Sequence, residues 1–90
     1  MTDNLREDMF SQLFITGAVR HVDVQIGSNG RATVRYLLQN GVQGIINTKR
    51  GGVKEYKPET CMRFLRMLGF STLKLDMSAW HPSAGQDELL

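Results

Sequence analysis

Apolar and polar residues alternate over two consecutive stretches of this chain, AVRHVDVQIG and RATVRYLLQ. In the first, Val22, Val24 and Ile26 fall on one side, and His21, Asp23 and Gln25 on the other. In the second, Ala32, Val34, Tyr36 and Leu38 oppose Arg31, Thr33, Arg35 and Leu37. A period of two is the mark of a strand with one face buried. Between them lies GSNG. A two-residue Asn29-Gly30 loop would set Val24 opposite Arg35 and mix the two faces. A three-residue loop over 28–30 sets Ile26 opposite Ala32, Val24 opposite Val34 and Val22 opposite Tyr36. Since a one-residue slip moves every side chain to the other face, the three-residue loop is predicted, with Gly30 in the left-handed bulge position.

Two further turns extend the pattern. Asn40-Gly41 suits a type I′ hairpin, which would pair Tyr36 with Ile45 and Val34 with Asn47. A two-residue turn at Gly51-Gly52 would pair Asn47 with Tyr56 and keep Tyr56 on the face of Tyr36. The strands are then roughly 16–26, 31–39, 42–49 and 53–57. Pro58 fits the first turn of a helix, and Glu59 favours its positive end. Cys61, Phe64, Leu65 and Leu68 recur at helical spacing as one buried face, and Gly69 marks the C-terminal stop. STLKLDMSAW alternates again and reads as a fifth strand. The expectation is an α+β fold of order ββββαβ: a four-stranded antiparallel β-meander, one helix on one face, and a short fifth strand after the helix. Residues 1–12 form a flexible or helical arm, 13–82 a single domain, and 83–90 an acidic tail.

Charge sharpens this picture. The net charge of +2 hides ten Lys/Arg between Ser11 and Trp80 against only Asp23, Glu55, Glu59 and Asp76, while both ends are acidic. A basic body with acidic ends points to an anionic partner. One helix leaves one sheet face in water. If the registers hold, that face displays His21, Asp23 and Gln25, then Arg31, Thr33 and Arg35, then Ile46, Thr48 and Arg50, then Val53, Glu55 and Lys57. Arg31, Arg35, Lys49, Arg50, Lys54 and Lys57 are the candidate phosphate contacts, with Thr33 and Thr48 as hydroxyl donors. Lys49, Arg50 and Lys54 belong to a charged hairpin tip. The glycines there precede a strand, not a helix, which argues against a phosphate-cradling loop. Tyr36, Tyr56 and Phe64 point to the core, so few aromatics remain for base stacking.

Catalytic chemistry is thinly represented. His21 and Asp23 share a face, but no nucleophile accompanies them, and Cys61 is assigned to the helix–sheet core. His21 and His81 stand without metal-ligand spacing, so no cofactor or metal is expected. A lone cysteine, a polar acidic N-terminus and the absence of a membrane-length apolar run suit a cytoplasmic protein. At 90 residues the chain buries a modest core. Phe10, Leu13, Phe14, Leu37, Met62, Met67 and Phe70 are apolar residues beyond that core, and a homodimer could bury them.

The segment over 50–80 resembles small plasmid-borne partition-associated or plasmid-maintenance proteins. Their pattern is a basic-Gly strand, a helix ending in Phe-Leu-x-x-Leu-Gly, and a short strand ending in Asp. Here it reads Arg50-Gly51, Val53 to Lys57, Phe64-Leu65, Leu68-Gly69, and Leu73 to Asp76. The resemblance covers the C-terminal third and carries no catalytic residues. It implies a mobile-element setting and a role in DNA or protein–protein interaction. In architecture, four antiparallel strands followed by a helix is similar to the transcriptional coactivator family that binds single-stranded DNA as a dimer. The strand after the helix departs from that family. The reading is a non-enzymatic accessory protein that binds nucleic acid, with an acidic protein surface as the alternative partner.

Overall fold

The computed structural model describes residues 4–81, so residues 1–3 and the tail assigned to 83–90 lie outside the described residues. The elements in chain order are α1 (Glu7–Ile15), β1 (Val19–Ile26), β2 (Ala32–Leu38), β3 (Gln43–Ile45), α2 (Pro58–Leu68) and β4 (Lys74–Asp76). They form an α+β fold on a four-stranded sheet of order β3-β2-β1-β4.

The first hairpin has the register that the apolar alternation predicts. Ile26 faces Ala32, Val24 faces Val34 and Val22 faces Tyr36. Gly30 sits at φ +78°, in the left-handed region where a side chain is strained. The second hairpin differs from expectation by one residue. Arg35 pairs with Ile45 and Tyr36 with Gly44, and the Leu38 amide donates to the Val42 carbonyl. The loop therefore has three residues, with positive φ at Gly41 but not at Asn40, and the predicted type I′ turn is not formed. The slip sends Ile46 inward to full burial, where its amide donates to the Val34 carbonyl. The physical reason is simple. The expected register would have left Ile46 in water and turned Asn47 toward the core.

The third turn slips as well. Thr48 donates to the Gly52 carbonyl and Asn47 faces Val53, not Tyr56. Residues 53–57 make only isolated bridges, so the fourth meander strand is replaced by a short connecting segment. Tyr56 occupies the place beside Ala32, with reciprocal amide–carbonyl bonds of 2.8 Å each. The fourth strand of the sheet is β4, which lies parallel to β1 beyond α2, with Val24 facing Leu75. The sheet is mixed and not an antiparallel meander.

α2 begins at Pro58 and ends before Gly69, whose φ of +115° terminates it. It buries Cys61 and Leu65, with Phe64 and Leu68 packed against the core. α1 covers the same side of the sheet, so there are two helices on one face and not one. Phe10 is fully buried, 5.5 Å from the Tyr36 ring and 6.3 Å from that of Phe64. Residues 4–6 run beside the third strand. The Asn47 amide donates to the Leu5 carbonyl, and the Leu5 amide donates to the Tyr36 hydroxyl. The Tyr56 hydroxyl in turn donates to the Glu7 carboxylate. Two phenols of the sheet thus tie down the entry to α1.

Because Phe10 joins the aromatic residues of both sheet and α2, Phe10→Ala should lower unfolding free energy by about 3–5 kcal/mol. Urea titration followed by circular dichroism measures it, and a loss below about 1 kcal/mol would mean that α1 adds little to the core.

Candidate functional site

Among the described residues, no helix lies on the other face of the sheet. Across it, pairing sets three rows of side chains. Gln43, Leu37 and His21 form one, Ile45, Arg35, Asp23 and Lys74 the next, and Thr33, Gln25 and Asp76 the third. Arg35 is at the centre. Its Nε donates to Asp23 Oδ1 at 2.8 Å and its Nη2 to Asp23 Oδ2 at 3.1 Å. Nη2 also lies 3.5 Å from Asp76 Oδ2, one strand farther along. Such a two-pronged pair is strong and directional. The Asp23 hydrogen bond, opposed by partial burial, holds the Arg35 guanidinium above its ordinary value, and the charges of Asp23 and Asp76 add to this. Asp76 accepts from the Ser78 hydroxyl at 2.7 Å and amide at 3.0 Å. Those two bonds hold its carboxyl below the usual range, with Arg35 and Lys74 contributing.

The centre of the open face is therefore balanced in charge, with Arg35 and Lys74 against Asp23 and Asp76. A concavity of about 540 Å³ lies here, bordered by His21, Asp23, Arg35, Leu37 and Ile45. His21 Nε2 is 3.9 Å from Asp23 Oδ2. The Asp23 oxygens are already engaged by Arg35, so this carboxylate is poorly placed to orient His21 as a base.

The predicted contact residues separate into two groups. Arg35 is paired as described. Lys54 lies on the helix side, its Nζ 3.6 Å from Glu7 Oε2 and 5.3 Å above the Tyr56 ring. Thr33 directs its hydroxyl to the Gln25 carbonyl at 3.4 Å, and Thr48 closes the turn through its amide. In contrast, Arg31, Lys49, Arg50 and Lys57 are exposed and have no ion pair among the described residues. Arg31 and Lys57 flank in sequence the isolated Ala32–Tyr56 bridge. Lys49 and Arg50 cap the adjoining 48–52 turn. These four cations thus lie on a rim, at the end of the sheet where β2 begins.

Asp76 and Ser78 were not among the sequence candidates. They enter only through the parallel β4 pairing, which no local pattern announces. Among the described residues, no three His, Cys, Asp or Glu side chains are grouped to hold a metal ion. None of the described helices is long and apolar enough to cross a membrane. No family model, curated protein or solved structure matches the chain.

Cys61 is almost fully buried, and desolvation raises its thiol from an ordinary 9.0 to about 11. A group whose folded value lies above its unfolded one stabilises the fold fully below the unfolded value, and loses that contribution as pH rises through the folded value. Unfolding free energy should therefore fall by about 2 kcal/mol between pH 9 and pH 11. In Cys61→Ala this fall should be absent up to pH 10, above which burial and the Glu7 contact bring in Tyr56. Denaturant titrations at stepped pH test the comparison, and parallel curves for the two proteins would refute it.

Proposed function

We propose that this is a non-enzymatic binding protein that grips the phosphate backbone of a nucleic acid with the rim cations Arg31, Lys57, Lys49 and Arg50. The observation that supports it is that all four are exposed and none is in an ion pair among the described residues. Arg35 and Lys54, in contrast, are paired with carboxylates within the fold. A phosphate at this rim would meet charge-assisted donors with no carboxylate already paired to them among the described residues. The open face, balanced in charge and poor in aromatics, supplies amide and hydroxyl groups more than affinity. The C-terminal resemblance suggests a mobile-element accessory role, and the single buried thiol suits a reducing cytoplasm.

A protein partner is a second reading, favoured by Leu37 and Ile45 beside the Arg35 pair on the open face. An acidic partner could meet the rim while covering these two residues.

Fluorescence anisotropy with single- and double-stranded oligonucleotides, across a salt series, tests the first reading. Affinity should fall steeply with salt, and Arg31→Ala with Lys57→Ala should flatten the log–log slope by about two, roughly one for each phosphate contact. Arg35→Ala should leave the slope unchanged. Absence of binding at low salt would overturn the nucleic-acid reading. A stoichiometric partner recovered after nuclease treatment would favour the protein reading.

A further inference from the structure

We propose that β4 is a self-complementary edge through which two copies of this chain join into one continuous eight-stranded sheet. The two edges of the sheet are unlike. On the β3 side, residues 4–6 cover the backbone, through the Asn47–Leu5 bond of 2.7 Å and a bond of 3.0 Å from the Ile45 amide to Asn4 Oδ1. On the other side β4 is outermost, and no strand pairs with its far edge among the described residues. An uncovered strand edge is a template for a further strand.

The sequence of this edge matches itself when reversed. An antiparallel copy centred on Leu75 sets Lys74 opposite the partner subunit's Asp76, and Asp76 opposite the partner subunit's Lys74. These pairs fall on the open face, as opposite charges at directly facing positions. On the helix side, Leu75 meets its own copy and Met77 meets the partner subunit's Leu73. Leu75 and Met77 are each 50% exposed in the single chain, and Lys74 is exposed with no ion pair among the described residues. A two-fold axis through Leu75 satisfies every one of these positions at once, as an isologous interface requires. The axis is perpendicular to the sheet, so both open faces lie on the same side. The two basic rims then sit toward opposite ends of one surface.

The inference stands apart from the nucleic-acid reading, since it needs neither Arg31 nor Lys57. Its test is charge exchange, read by sedimentation equilibrium and light scattering over a concentration series. The wild-type chain should dimerise. Lys74→Asp should set Asp opposite Asp twice and raise the dissociation constant about tenfold or more. Asp76→Lys should do the same with lysines. Mixing these two variants should restore a dimer, now a heterodimer, because every facing pair is again of opposite sign. Leu75→Asp, which leaves Lys74, Asp76 and the Arg35 contact in place, should also abolish the dimer with the circular dichroism spectrum unchanged. A wild-type chain that stays monomeric to its solubility limit overturns the proposal. A dimer indifferent to Lys74→Asp and Leu75→Asp does so equally.

Discussion

The burial of Ile46 against Val34 is the constraint from which the layout of this sheet follows. A strand has only two faces, and Ile46 is fully enclosed on one of them. Placing it there requires that the loop after β2 hold three residues, with Gly41 alone taking positive φ. Everything on the third strand then follows by parity. Ile45 joins Arg35 on the open face. A tighter turn would have gained an ideal two-residue hairpin at the cost of exposing a large aliphatic residue. Full burial of such a side chain is worth about 1.5–3 kcal/mol, more than turn preferences usually supply. Burial wins.

The same hierarchy explains the N-terminal helix. α1 is short and weakly capped: Arg6 makes no side-chain cap bond, and nine residues are marginal for an isolated helix. Its order comes from outside itself. Phe10 enters the aromatic group of Tyr36 and Phe64, and Phe14 lies 4.7 Å from Phe70. The Tyr36 and Tyr56 hydroxyls then need partners once buried, and they find them in the Leu5 amide and the Glu7 carboxylate. Hydrophobic packing draws the segment in, and polar satisfaction fixes where it lies. Both helices are thereby committed to one side, which is why the opposite face stays free of helices.

These two effects mark what could be read from the residues. The first hairpin was legible because both its strands alternate cleanly, so only one loop length kept the faces separate. α2 was legible from its apolar spacing, with Pro58 and Gly69 as its ends. The second hairpin misled because Asn40-Gly41 is a strong local turn signal, while the alternation after it, QGIINT, is ambiguous at the adjacent isoleucines. Which isoleucine is buried depends on Val34, a contact set by the sheet and not by the turn. The parallel pairing of β4 with β1 is hidden for a similar reason. A crossover through α2 joins strands that are distant in sequence, and three residues carry little pattern. Of the candidate contacts, Lys49 and Arg50 are exposed beside the glycine turn, as a hairpin tip implies, while Arg31 and Lys57, read as strand residues, are exposed outside any strand. The fates of Arg35 and Lys54 depended on carboxylates from other elements.

That division bears on how a basic composition is interpreted. An excess of Lys and Arg predicts an anionic partner only to the extent that the charges are free, and here the fold consumes the most central one. Arg35 is held at its edge by Asp23 and approached by Asp76, so a phosphate would have to compete with two carboxylates already in place. The rim imposes no such competition. Arg31 and Lys57 are exposed, and neither is in an ion pair among the described residues. A paired arginine at the centre of a sheet and an unpaired one at its rim count equally in net charge, yet only the second offers an incoming phosphate a net gain.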